Sequence, residues 1–183
     1  QMIEAAGIIT SLLGVYFSSQ RHWVAWVWNI IASSIYMVVF YQAGLYSDME
    51  LQGLFIIMGV YGLYQWRNVE STWRPEKSSL LFIVIGIVIA GLYGAGAGYF
   101  HENYTAQAKS PYWDASLTGL SLVGTYWASK RRIENWVLWI FVDCAYVAMY
   151  LVNGLWMTAG LYFVFVLMAI RGWIQWRKEL KIN

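Results

Sequence analysis

Apolar runs long enough to cross a bilayer, separated by short polar clusters, divide the chain into candidate helices near residues 2–18, 23–43, 50–66, 79–100, 113–128, 135–152 and 158–176. The breaks fall at Ser19–His22, Gly44–Asp48, Asn68–Lys77, His101–Tyr112, Ser129–Arg132 and Asn153–Met157. The runs are long and lack the strict alternation of a barrel strand, so they predict helices. In the span at 23–43, Trp26, Asn29, Ser33, Tyr36 and Phe40 recur at spacings of three and four; Trp136, Trp139, Asp143, Tyr146 and Tyr150 do the same in the span at 135–152. Each set occupies one helix face. Lipid would favour Leu and Ile there, so both faces are expected to look into the bundle and line a shared pathway.

Composition explains why the runs are so long. Sixty per cent of the 183 residues are hydrophobic, 19% are aromatic and only 12% are charged, against about 25% charged in a soluble domain. A soluble core cannot hide that much apolar surface, so part of the solvent must be lipid. With roughly 20 residues per span, the chain has room for seven or eight spans and none for a separate soluble domain. It reads as an all-α integral membrane protein, one membrane domain over residues 1–183. The net charge of +2 gives no nucleic-acid footprint. The single cysteine, Cys144, can form no internal disulfide. The chain opens at Gln1, not Met, and shows no basic segment followed by a cleavable apolar stretch, as expected if residues upstream of Gln1 are missing.

Charge matters through its distribution. With seven spans, the loops after the first, third, fifth and seventh share one side, which holds Arg21, Arg67, Arg74, Lys77, Lys130, Arg131, Arg132, Arg177, Lys178 and Lys181. Arg171 snorkels toward the same end, leaving only Lys109 opposite. The positive-inside rule then puts the N-terminus outside and the C-terminus in the cytoplasm. Trp23, Trp66, Trp73, Trp113 and Trp176 stand at span ends and read as headgroup-layer anchors.

Sliding the chain against itself by 110 residues superposes the first three spans on the last three without a gap. Ser11, Leu12, Gly14, Tyr16, Ser19 and Arg21 meet Ser121, Leu122, Gly124, Tyr126, Ser129 and Arg131. Trp26, Val27, Ile30 and Tyr36 meet Trp136, Val137, Ile140 and Tyr146; Gly44 and Leu45 meet Gly154 and Leu155. The triplet Gln65-Trp66-Arg67 recurs as Gln175-Trp176-Arg177. In all, 20 of the 66 pairs from position 4 to 69 are identical, and shared membrane composition does not generate a repeated triplet in a gapless register. Three helices end on the side opposite their start, so two copies in one orientation need an extra crossing. The span at 79–100 supplies it. The result is two parallel three-helix repeats, 1–68 and 113–178, joined by a linker helix at 79–100, an arrangement known in transporters with midplane sites. The linker's GLYGAGAGYF stretch lacks the strand of a phosphate loop and reads as close helix packing through small residues.

Asp143 is the sharpest chemical signal, because a carboxylate near the centre of a span is costly and marks function by default; a buried structural hydrogen bond is the alternative. Indoles stack on flat rings and attract cations, and a carboxylate accepts hydroxyls or complements positive charge. Together they fit a flat, polar heterocycle, cationic or not. Gln52 and Tyr162, which are repeat partners, and Asn153 and Thr158 near the outer mouth are further candidates, for which helix packing or capping competes equally. His22 and His101 lie in loops on opposite sides, so no metal or other cofactor is expected. No nucleophile, base or paired-acid constellation appears, which argues against an enzyme.

The segment 135–177, with its Trp-x-x-Trp, an Asp four residues on, a Gly-Leu-aromatic loop and a closing Gly-x-x-x-Trp-Arg, resembles the PnuC family of nicotinamide riboside transporters. The WVAWVWN run at 23–29 resembles the tryptophan-rich part of that family's first repeat. The resemblance implies a three-plus-one-plus-three fold like that of the SWEET sugar transporters and a bacterial inner-membrane location. It also implies facilitated diffusion of nicotinamide riboside, with cytoplasmic phosphorylation trapping the import. It makes Trp136, Trp139 and Asp143 the first candidates for substrate contact and Trp26, Asn29 and Tyr146 the next. Relatives of this family are associated with thiamine or riboflavin, and a membrane receptor or assembly subunit would bind without moving substrate. Exposed small-residue faces are compatible with a homo-oligomer, a trimer among them.

Overall fold

The computed structural model describes residues 2–42, 46–69, 73–105, 110–152, 154 and 156–180. Gly44, Leu45, Lys109, Asn153, Leu155, Lys181 and the Phe40 side chain lie outside the described residues. The order is α1 (Met2–Ser19), α2 (Val24–Gln42), α3 (Tyr46–Arg67), α4 (Leu80–Tyr104), α5 (Pro111–Ser129), α6 (Glu134–Val152) and α7 (Trp156–Lys178). By length and composition α1, α4, α6 and α7 suffice to cross a membrane, and α2 adds the shorter apolar stretch Val24–Val39.

α2 packs between α1 and α3, α6 packs between α5 and α7, and the two triplets meet through α1 with α7 and α3 with α5. The six helices therefore close a ring with pseudo-twofold symmetry. The chain is an all-α integral membrane protein, two parallel three-helix repeats joined by a linker helix. That linker, α4, lies outside the ring against α5. It approaches closely because Gly86, Ala90, Gly94 and Gly98 recur every four residues and are buried; a Cβ at Gly94 would sit 2.5 Å from the Ser116 hydroxyl. Its start is capped by Ser79, whose hydroxyl accepts from the Phe82 amide at 3.2 Å. The helix continues through His101, which the sequence places in a loop. His101 Nδ1 meets Thr105 Oγ1 at 2.9 Å and the Asn103 amide donates to the Tyr99 carbonyl, so the polar residues are satisfied within the last turn.

The repeat is legible down to its hydrogen bonds. After both α1 and α5 the second residue beyond the helix lies in the left-handed region, Arg21 at φ 59° and Arg131 at φ 60°. In each case the two following amides turn back: Arg21 to Ser18 and His22 to Phe17, Arg131 to Ala128 and Arg132 to Trp127. Arginine in this region costs about 1–2 kcal/mol. At Arg21 the guanidinium offsets it by donating to the Trp73 carbonyl at 2.6 Å and lying 3.7 Å from Glu179.

The basic loops gather at one end and lock together. Glu76 pairs with the 131–133 turn through two backbone bonds of 3.0 Å, and its carboxylate lies 3.3 Å from Arg132. Glu134 accepts from both the amide and the hydroxyl of Ser78 at 2.9 Å. Three of the five expected headgroup anchors are not anchors. Trp66, Trp73 and Trp176 are 2%, 8% and 0% exposed, because they face the seam between the repeats where their indoles find partners. Trp23 and Trp113 are exposed.

Candidate substrate-binding cavity

The ring encloses a cavity of about 510 Å³. Trp26, Asn29, Ser33 and Tyr36 from α2, Gln52 from α3, Trp136, Trp139, Asp143, Tyr146 and Tyr150 from α6, and Tyr162 from α7 line it as the sequence predicts, whereas Thr158 does not and Asn153 lies outside the described residues. Spacings of three and four along α2 and α6 turn one face of each inward, and the 110-residue offset makes the two faces pseudo-symmetric. Asp143 is the middle residue of the 19-residue α6. It is 7% exposed and makes no ion pair among the described residues.

At the basic end the floor is tryptophan. Trp26 meets Trp66 edge to face at 5.4 Å and 88°, and Trp136 meets Trp176 at 5.4 Å and 88°. Trp66, Trp73 and Trp176 complete the cluster at 4.8–5.9 Å. The rings of Trp26 and Trp136 lie flush on the backbones of α3 and α7 because Gly62 and Gly172 offer no side chain; a Cβ there would meet ring atoms at 2.5 and 2.7 Å. The indole of Trp66 donates to the Ala128 carbonyl of α5 at 3.0 Å, and that of Trp176 donates to the Ser18 carbonyl of α1 at 3.0 Å. Ser18 and Ala128 are themselves repeat partners. Each repeat thus latches the other at this end with the same bond. The indole N–H groups of Trp26 and Trp136 are buried without a hydrogen-bond partner among the described residues.

Toward the other end the lining turns to tyrosine. Tyr146 stacks on Tyr150 at 5.9 Å, and both meet Tyr162 at 5.1 Å. Across the ring, Tyr36 packs against Gly7 of α1. Sequence reasoning missed the wall between floor and roof. α1 and α5 contribute Ser11, Ser18, Thr118, Ser121 and Thr125. Ser11 and Ser121 are repeat partners, and that identity was the available signal. The wall also includes Asp114 and Asn135; with Asp143, the lining carries two carboxylates and, among the described residues, no Lys, Arg or His.

Comparison with known proteins places this geometry. The chain is 23% identical over 201 residues to the nicotinamide riboside transporter PnuC of Escherichia coli, spanning 95% of this chain and 84% of that protein. It is 22% identical over 195 residues to a PnuC of Neisseria mucosa, spanning 98% and 73%. It is also 22% identical over 176 residues to the riboflavin/roseoflavin transporter RibM of Streptomyces davaonensis, spanning 93% and 80%. Among solved structures, that of the vitamin B3 transporter PnuC superposes with a TM-score of 0.78 at 18% identity, over 97% of this chain and 81% of that one. The model of the nicotinamide mononucleotide transporter family matches residues 1–178. With the match running almost from end to end, the chain belongs to that family, the family of PnuC, and is a transporter and not an enzyme.

Proposed function

We propose that the cavity binds nicotinamide riboside and that the chain carries it across the bacterial inner membrane by facilitated diffusion. The charge of the lining carries this reading. Two carboxylates and no cation fit a pyridinium bearing a ribose and oppose a ligand that adds a phosphate, so the riboside is favoured over its mononucleotide. Trp26, Trp136 and Trp139 bring indole surface to a cation, worth roughly 0.5–2 kcal/mol each. Asp143 complements the positive ring or accepts a ribose hydroxyl. Asn29, Gln52, Ser33, Tyr36, Tyr146 and Tyr162 supply amide and hydroxyl groups that orient the ligand.

Transport follows if the repeats rock about the cavity, breaking the two tryptophan latches as the basic end opens. The sorted basic loops support a cytoplasmic basic end, with the N-terminus outside, and phosphorylation of the imported riboside then makes the flux one-way. The likeness to RibM supports riboflavin as a second ligand, which is neutral and could offer Asp143 a ribityl hydroxyl but no positive charge.

Calorimetry of purified protein with nicotinamide riboside, its mononucleotide, thiamine and riboflavin separates these cases. The riboside is expected to bind tightest, and Asp143→Asn is expected to weaken it about 10- to 100-fold, the worth of a charged hydrogen bond. Unchanged affinity in Asp143→Asn removes that residue from the site, and tighter binding of the mononucleotide or riboflavin overturns the substrate. Flux into liposomes without proton or sodium gradients tests the facilitated route, and binding without flux would make the chain a receptor.

A further inference from the structure

A second depression lies outside the ring, where α3 and α4 make no contact with each other and α5 forms the floor between them. Met58 lines one side, Phe82, Ile85, Ile89 and Tyr93 the other, and Gly119, Leu122, Val123 and Trp127 the floor. Small residues make the groove deep: Gly86 lets Trp127 sit flat, since a Cβ there would meet its ring at 2.6 Å. From Phe82 to Tyr93 the groove runs about 16 Å along α4. That is about half of the roughly 30 Å hydrocarbon layer, the reach of one acyl chain within a single leaflet.

One end of the groove is cationic. Tyr126, on its wall, stacks on Tyr61 at 6.2 Å and 13°. The ammonium of Lys130 stands above both rings, 5.4 Å from Tyr61 and 5.9 Å from Tyr126. Lys130 makes no salt bridge among the described residues. Its neighbour Arg132 is already committed to Glu76 at 3.3 Å and to the Lys77 carbonyl at 3.1 Å. Among the described residues no carboxylate lines the groove.

We propose that this groove is a binding site for an anionic phospholipid of the leaflet bordering the basic end, one acyl chain lying on α5 between α3 and α4 and the phosphate meeting Lys130. Charge favours this occupant over a second copy of the chain docked about a twofold axis. Two copies joined symmetrically through this face would bring two Lys130 ammonium groups together, whereas a lipid phosphate neutralises the one present. A bound chain would fill the gap between the first repeat and the linker.

The test is native mass spectrometry of the purified protein in detergent with palmitoyl-oleoyl phosphatidylglycerol, palmitoyl-oleoyl phosphatidylcholine or inorganic phosphate. Wild type is expected to retain phosphatidylglycerol in preference to phosphatidylcholine. Lys130→Gln is expected to erase the preference, about fivefold for one basic residue at a membrane surface. Ile89→Trp, which fills the groove from a lipid-facing position, is expected to reduce retention of both lipids. Equal retention of the two lipids by wild type, or an unchanged preference in Lys130→Gln, overturns the proposal. So does full retention by Ile89→Trp, inorganic phosphate binding as well as the lipid does, or an oligomer whose dissociation is needed before lipid binds.

Discussion

Replacing Trp176 with Phe keeps an aromatic ring in the seam and removes one N–H. The group lost donates at 3.0 Å to the Ser18 carbonyl, and Trp176 is fully buried, so no water takes its place. Leaving that carbonyl unpaired costs about 1–3 kcal/mol. If the bond exists only while the basic end is shut, the whole cost falls on the shut conformation, and the open-to-shut ratio rises about 5- to 150-fold. Accessibility reads this ratio. In a Cys144→Ser background, Ser11→Cys places a thiol on the cavity wall, and a membrane-impermeant maleimide is added from the basic side of oriented vesicles. Labelling should accelerate by the stated factor in Trp176→Phe and comparably in Trp66→Phe, whose bond to Ala128 is also 3.0 Å. Because the two bonds lie on opposite sides of the pseudo-twofold axis, the double variant should show the combined effect. A lower melting temperature with unchanged labelling would refute the reasoning, since both conformations would then contain the bond. A response from one tryptophan and not its partner would refute the symmetry of the latch.

Gly172→Ala should lower the melting temperature in detergent, because its Cβ would stand 2.7 Å from Trp136 ring atoms and overpacking costs about 1–3 kcal/mol. Gly160→Ala, also within α7 but with a Cβ that meets nothing within 4 Å, is the control and should hold the temperature or raise it. Glu134→Gln leaves a single acceptor for the two donors of Ser78 and should cost about 1 kcal/mol at that clasp. Trypsin cleavage after Lys77 should quicken about fivefold.

The polar faces of α2 and α6 were readable because lipid penalises a polar stripe, so Asn29, Ser33 and Asp143 stand out against Leu and Ile at helical spacing. The wall from α1 and α5 was not. Ser121 and Thr125 return their hydroxyls to carbonyls one turn back, at 2.8 Å each, and a residue that satisfies itself sits on any face at little cost. Trp66 and Trp176 misled for a different reason. A tryptophan at a helix end faces either headgroups or a neighbouring repeat with the same sequence signature, and only the second copy's carbonyl decides. The segment around Glu76 carries no periodicity, so its pairing with the 131–133 turn has no trace along the chain.

The linker α4 has a chemical consequence beyond connecting two copies. A pair of identical three-helix units facing each other would carry every cavity residue twice, and a carboxylate at the position of Asp143 would meet its own image across one dry chamber. Joined in a single chain, the copies were free to diverge, and the site facing Asp143 by symmetry is Ser33. The fusion lets the protein keep one carboxylate at this level of the cavity where strict symmetry would place two.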